Sequence, residues 1–205
     1  MKLSYAICVC NESKELNSLL SFLVNTKDPE DEINVLIDSK NVTSDVELVI
    51  EKFSNYIFTC SRAFDGDFSA HRNYHMSRCS GDFIFIIDAD EIPQEALVKN
   101  IKNIIAETSG DMFYVPRINI IPGYTEKWLK TMNFSVNDLG WINWPDWQGR
   151  VVKNDKRIYW GNKLHERIQG ATKVIQLSIN PSLALWHIKS VERQDSQDLM
   201  YKGLV

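Results

Sequence analysis

At 205 residues the chain falls between one and two times the roughly 150 residues of a typical domain. Hydrophobic residues make up 44% and charged residues 24%, which excludes a disordered, collagen-like or coiled-coil chain. With 23 basic against 27 acidic side chains the net charge is −4, the wrong sign for general phosphate-backbone binding, so no nucleic-acid partner is expected.

The first half alternates strand and helix patterns. Leu3 to Cys10 reads as a buried strand, followed by Leu16, Leu19, Leu20, Leu23 and Val24 at helical spacing. Ile33 to Ile37 is a second strand, ending at Asp38. Ser44 is expected to cap the next helix, with Glu47 completing a capping box ahead of Val49, Ile50 and Phe53. Tyr56 to Cys60 reads as a third strand, Phe68 to Cys79 as a helix stopped by Ser80-Gly81, and Phe83 to Ile87 as the most hydrophobic strand. Leu97, Ile101, Ile104 and Ile105 mark a helix after Pro93. This βαβαβαβα order predicts an α/β fold, a mostly parallel sheet with helices on both faces and ligands bound beyond the carboxyl ends of its strands.

After residue 110 the pattern changes. All six tryptophans (Trp128, Trp141, Trp144, Trp147, Trp160, Trp186) follow residue 127, among short strands such as Met112 to Arg117, Gly149 to Lys153 and Leu183 to His187. Residues 1–110 and 111–205 are therefore read as two parts of one domain, the second an appended Trp-rich lobe. Most of the tryptophans are expected in its core, with one or two left to stack on sugar rings. No apolar run approaches the roughly 18 residues of a membrane span, and the start is too short and interrupted for a signal peptide. Cys8, Cys10, Cys60 and Cys79 lie in or beside apolar segments and are expected as buried free thiols, which fits a cytoplasmic location.

The segment Phe83-Ile-Phe-Ile-Ile-Asp88-Ala-Asp90-Glu91-Ile-Pro93 carries the sharpest chemistry. An apolar strand runs into three carboxylates, and strand geometry would place Asp88 and Asp90 on one side, roughly 6–7 Å apart. Like charges at that spacing call for a cation, and all-oxygen ligands suit Mg²⁺ or Mn²⁺ with substrate phosphates. The plainer reading is a solvated acidic loop in which Glu91 alone caps the helix that follows Pro93.

Together, Phe68-Ser-Ala-His-Arg72-Asn73-Tyr and Gly81-Asp82 through Glu91 resemble the nucleotide-sugar half of family-2 glycosyltransferases of the GT-A fold. Asn11-Glu12 and Asp38 match as well. Trp147-Gln-Gly-Arg150 and Trp160-Gly-Asn-Lys-Leu-His165-Glu166 are similar to the small lipopolysaccharide-type members, so the likeness covers roughly residues 3–190. The resemblance implies a nucleotide-sugar half over 1–110, an acceptor lobe over 111–205, and metal-dependent, inverting transfer from a nucleotide-diphosphate sugar, UDP-linked, to a hydroxyl acceptor such as a glycan or a lipid-linked molecule. Asn11, Glu12 and Asp38 would line the base and ribose pocket, Arg72 would meet the diphosphate, Asp88 would touch ribose or metal, and Asp90 would ligate the metal. Asp38 can accept a bond from uracil or ribose, and Arg72 offers a planar fork to phosphate oxygens. Asn11 and Glu12 equally fit a helix cap with a first-turn acid.

His187, ending an apolar strand, is the second expected metal ligand; a buried histidine bonded to a backbone carbonyl is the plainer reading. Glu166 is the expected general base for the acceptor hydroxyl, with Asp146 in reserve. His71 and His75, one helical turn apart, are expected to be solvated or capping, since no third zinc ligand follows. The glycine of the family's Asp-x-Gly-Ser-x-Asp is missing after Asp38, and no Gln-x-x-Arg-Trp occurs, which argues against a processive synthase. The chain is short for the family and ends at Met200-Tyr-Lys-Gly-Leu-Val205, as a minimal or a truncated enzyme would. Two readings compete: a sugar nucleotidyltransferase, which would want a glycine-rich basic loop where Val9-Cys-Asn-Glu-Ser stands, and an inactive glycan-binding module of the same fold.

Overall fold

Along the first strand, Leu3, Tyr5, Ile7 and Val9 point to one side of the sheet and Ser4, Ala6 and Cys8 to the other, as the two-residue strand period requires. A sheet buried on both faces follows, and the computed structural model shows it. The structure describes the backbone of residues 1–203, and side chains through residue 196 and at Leu199; the side chains of the last six residues, Met200 to Val205, lie outside the described residues.

The elements run β1 (Leu3–Val9), α1 (Ser13–Thr26), β2 (Glu32–Asp38), α2 (Ser44–Lys52), β3 (Phe58–Arg62), α3 (Phe68–Met76), β4 (Phe83–Asp88), β5 (Glu91–Pro93), α4 (Glu95–Thr108) and β6 (Met112–Ile120). They continue with α5 (Glu126–Met132), β7 (Ile142–Lys153), β8 (Tyr159–Gly161), β9 (Arg167–Gln169), β10 (Val174–Gln176), a single 3-10 turn at Pro181–Leu183, β11 (Leu185–Ile188) and α6 (Val191–Gly203). The central sheet has the order β3-β2-β1-β4-β7-β6-β11-β5, with β10 added beside β6. Strands β3, β2, β1 and β4 are parallel, and β7 enters antiparallel between β4 and β6. From β1 the chain proceeds to β2 on one side, while β4 lies on the other, so a switch-point crevice opens beyond the carboxyl ends of β1 and β4.

The larger core cluster joins Leu3, Tyr5, Ile7, Phe85 and Ile87 to the apolar stripes of α1 (Leu16, Leu19, Leu20, Leu23) and α4 (Leu97, Val98, Ile101, Ile105). The opposite face buries Ala6, Ile84, Ile86 and Val152 under Met76 of α3 and Trp160 of β8. Each fully buried aliphatic side chain contributes about 1.5–3 kcal/mol. Residues after 110 share this framework through β6, β7, β10 and β11. What stands apart from it is the small cluster of Ile121, Leu129 and Ile142 around α5 and the two-stranded β8-β9 sheet.

Several expectations are corrected in detail. Helix α3 ends at Met76, short of Cys79, and Gly81 is needed for close approach: a Cβ there would lie 2.7 Å from the Ser4 amide nitrogen. Thr43, not Ser44, is the N-cap of α2, without a side-chain cap bond, because Ser44 already has helical conformation. Glu91 does not cap α4, whose N-cap is Gln94; it is a fully buried β5 residue. Of the six tryptophans Trp160 is buried in a core, Trp147 and Trp128 pack half-buried against core clusters, and Trp141, Trp144 and Trp186 are half-buried outside them. The four thiols are free, Cys79 buried and the others partly so.

Candidate active site

The crevice draws its side chains from the ends of β2 and β4, from β5, β6, β7 and β11, and from helix α3. Asp88 ends β4 with the parity of Ile84 and Ile86, so its carboxylate faces α3. There Arg72 Nη2 donates to Oδ1 at 3.1 Å, while Arg150 Nη2 reaches Oδ2 at 2.6 Å from β7. Arg150 is aimed inward by a bulge: Phe113 pairs with Val151 and Tyr114 with Gly149, which leaves Arg150 as the extra residue. The same nitrogen pairs with Glu91 Oε1 at 2.5 Å, and Arg117 Nη1 meets that oxygen at 2.9 Å. Burial opposes ionisation of Asp88, but Arg150 and Arg72 outweigh it and hold the carboxyl far below its usual range.

The turn at Ala89 and Asp90 breaks the strand period, so the two aspartates acquire different partners. Asp88 faces two guanidinium groups, which supply the cationic charge that the sequence demanded of a metal. Asp90 Oδ2 instead lies 3.4 Å from His187 Nε2 and 3.6 Å from Arg193 Nη2. Burial would raise the Asp90 carboxyl, yet His187, its next-largest influence, together with Arg193 keeps it below its ordinary value.

His187 is oriented through its neighbour in the sheet. It pairs in register with Asn119 of β6, whose Oδ1 lies 2.8 Å from His187 Nδ1. The Asn119 amide nitrogen donates to Asp146 Oδ2 at 2.8 Å, so Oδ1 must be the acceptor and His187 Nδ1 the donor. Nε2 is thereby the nitrogen left for Asp90 or for a cation, the arrangement that second-shell partners impose on metal-binding histidines. The plainer reading of His187 is half right: it is buried, but a side-chain amide holds it, not a backbone carbonyl.

The spacing of these two groups is compatible with shared ligation of one divalent ion. Two octahedral ligands at about 2.1 Å from one ion sit about 3 Å apart, the scale of the Asp90–His187 separation. Among the described residues no group of three His, Cys, Asp or Glu forms a metal cage. Mg²⁺ and Mn²⁺ suit a carboxylate such as Asp90 with substrate phosphates and water, and His187 Nε2 would add a nitrogen ligand to that set.

Glu166 follows β8 in a turn where His165 has a φ of 52°, and its Oε1 accepts from Arg72 Nε at 2.8 Å. Arg72 also sits 5.0 Å from the Trp160 ring, and Asn73 brackets the Trp160 backbone with two bonds of 2.8 Å. Asp146 is more heavily committed. It accepts from Arg117 Nε and Nη2, Asn119 and Gln148 at 2.6–2.9 Å, which offset its burial and hold it below the usual carboxyl range.

On the β1 and β2 side, Glu12 is the N-cap residue of α1 but makes no side-chain bond into the helix. Its Oε2 accepts from the Cys10 and Asn11 amides at 3.0 Å each. Asn11 is exposed in that loop. Asp38 is buried and accepts from the Lys40 and Phe64 amides and the Asn41 side chain, so most of its lone pairs brace the loops around it. His71 and His75 are buried, contrary to the solvated role expected: His71 packs against Phe64 and Arg62, and His75 bonds Asn34 and Cys8. Burial pushes His75 down to about 3.

The structure thus joins Glu166, Arg72, Asp88, Asp146, His187 and Asp90 through one polar network; of its connecting members, Glu91 was read as a helix cap, and Arg117, Asn119 and Arg150 were given no role by sequence reasoning. The available signal was an arginine inside an apolar strand, in Val115-Pro-Arg117-Ile118 and Gly149-Arg150-Val151-Val152. Such a charge is rarely buried without a partner.

Comparison with known proteins agrees with this architecture. The chain belongs to the family described as Glycosyl transferase family 2, whose model matches residues 4–172. No curated protein matches it. Among solved structures, S. aureus TarS 1–349 is similar at 18% identity and a TM-score of 0.65, covering 92% of this chain and 60% of that one. TarS 1–349 in complex with UDP-GlcNAc is similar at the same identity and score, over 92% of this chain and 59% of that one, and its complex with UDP over 100% and 65%. The chain therefore spans about three fifths of TarS 1–349, and the likeness establishes the GT-A fold.

Proposed function

We propose that this protein transfers a sugar from a nucleotide-diphosphate donor, UDP-linked, to a hydroxyl acceptor, with inversion and with the help of Mn²⁺ or Mg²⁺. The observation that carries the reading is the Asp90–His187 pair at the switch-point crevice, with His187 Nδ1 committed to Asn119. Family membership and the UDP and UDP-GlcNAc complexes of TarS support the donor class.

Asp90 and His187 would hold the ion, which when bound neutralises negative charge on the departing diphosphate. Asn11, Glu12 and Asp38 would frame the nucleoside, and Arg72 would contribute a guanidinium held charged by Asp88 and Glu166 despite burial. Glu166 would take the acceptor proton as the hydroxyl attacks the anomeric carbon. It is favoured over Asp146 because Arg72 is its hydrogen-bond partner among the described residues, whereas Asp146 already accepts four bonds. The half-buried Trp141, Trp144 and Trp186 form an aromatic group, with ring centroids 5.1 and 6.4 Å from Trp141, beside the crevice that Trp186 lines. We assign it to the acceptor side, where an indole face can stack on a sugar ring.

A panel of UDP-, GDP- and TDP-sugars, incubated with Mn²⁺ and with EDTA, tests the reading. Slow, EDTA-sensitive release of free sugar from a UDP-sugar is expected. Synthesis of a sugar nucleotide from sugar phosphate and nucleoside triphosphate would favour a nucleotidyltransferase, and glycan binding without release an inactive module.

A further inference from the structure

Arg193 stands in the first turn of α6, yet its guanidinium lies across the crevice. Nη1 pairs with Glu15 Oε1 at 2.7 Å, while Nη2 lies 3.3 Å from Glu12 Oε1 and 3.6 Å from Asp90 Oδ2. Glu12 uses its other oxygen to fix the loop after β1, and Asp90 stands in the turn after β4, so one side chain ties together both walls of the switch-point opening. Glu15, Asp90 and Trp186 also line a cavity of about 200 Å³ there. The Asp90 oxygen that faces Arg193 is the one that faces His187.

A guanidinium and a divalent ion cannot share that oxygen without repulsion. A diphosphate resolves the conflict, because its oxygens offer the arginine fork a better-matched anion than three separate carboxylates do. We propose that Arg193 is a diphosphate-binding residue stored on Glu12, Glu15 and Asp90, which keeps a divalent ion from Asp90 until a nucleoside diphosphate arrives. The proposal rests on the nucleotide-sugar reading above and adds an order of binding: the ion enters with the nucleotide. Lys189, buried in the turn between β11 and α6, lies within electrostatic reach of both Asp90 and Arg193.

The test compares the wild type with Arg193→Gln and Arg193→Lys, using Mn²⁺ alone, followed by electron paramagnetic resonance of the free ion, and UDP in the presence of Mn²⁺, followed by calorimetry. Arg193→Gln should bind Mn²⁺ alone about tenfold more tightly and UDP with Mn²⁺ about tenfold more weakly, the factor expected of one charged hydrogen-bond partner. Arg193→Lys should retain the weak uptake of Mn²⁺ alone and lose part of the UDP affinity. A merely structural role would weaken both affinities together, and circular dichroism would show the loss of fold. Equal Mn²⁺ and UDP affinities in wild type and Arg193→Gln would overturn the storage role while leaving the function intact. A wild type that takes up neither UDP nor Mn²⁺ in the other's presence would overturn both.

Discussion

Arg72 joins Glu166 to Asp88: its Nε donates to the first at 2.8 Å and its Nη2 to the second at 3.1 Å, across 94 and 16 residues of sequence. One guanidinium thereby sets the position of the carboxylate proposed as base against the end of β4. The family resemblance led Arg72 to be expected near phosphate, but its observed partners are carboxylates, with an indole at its face.

Replacing Glu166 and Asp146 in turn separates base from scaffold. Glu166→Gln should slow transfer by about 10²–10⁴-fold, with a loss of thermal midpoint limited by the Asp88 carboxylate that Arg72 keeps. Asp146→Asn should instead lower the midpoint, because Arg117, Asn119 and Gln148 lose a shared charged acceptor. Steady-state kinetics and thermal melts of both variants check this; the opposite pattern would move the base to Asp146.

Glu91 is the stability determinant of the network. It is fully buried and is the common acceptor for Arg117 and Arg150, and its other oxygen accepts from the Asp88 amide. Glu91→Gln removes one charge from between two buried cations. Each arginine keeps one carboxylate, so the loss should sit at the low end of the range for a broken buried pair, about 3 kcal/mol. Urea unfolding measures it, and a change under about 1 kcal/mol would show that the pair adds little.

Acid should weaken the fold through Glu32. Burial alone would raise this carboxyl, but Ser4, the Ser80 amide and hydroxyl, and Lys2 bond it and hold it at about 2, against an ordinary 4.5. A depressed folded-state value means that the unfolded chain binds the proton first, so this stability is complete above about pH 4.5 and is lost as the pH falls toward 2. Unfolding midpoints measured across that window should fall steeply in the wild type and less steeply in Glu32→Gln.

The parallel half of the fold was legible because Phe83 to Ile87 and the stripe Leu16, Leu19, Leu20, Leu23 carry unambiguous periods, and those periods reflect burial on both faces of one sheet. The polar site was legible only where a strand ended: Asp38, Asp88 and His187 close apolar runs. What was not legible depended on register. Whether Arg150 points inward is decided by a bulge opposite Phe113 and Tyr114, and the Arg117–Asp146 pairing by an antiparallel match of β6 with β7. Neither leaves a periodic trace. The tryptophans were legible only in part: Trp128, Trp147 and Trp160 pack in or against cores, but composition does not report which indoles face a core and which a crevice.

A divalent ion at Asp90 and His187 should couple to a donor's pyrophosphate, and calorimetric titration of UDP with Mn²⁺ or with EDTA is the decisive measurement. Mn²⁺ should tighten UDP binding about tenfold or more, and Asp90→Asn should abolish the gain. Equal affinities with Mn²⁺ and EDTA, or a gain that survives in Asp90→Asn, would contradict it.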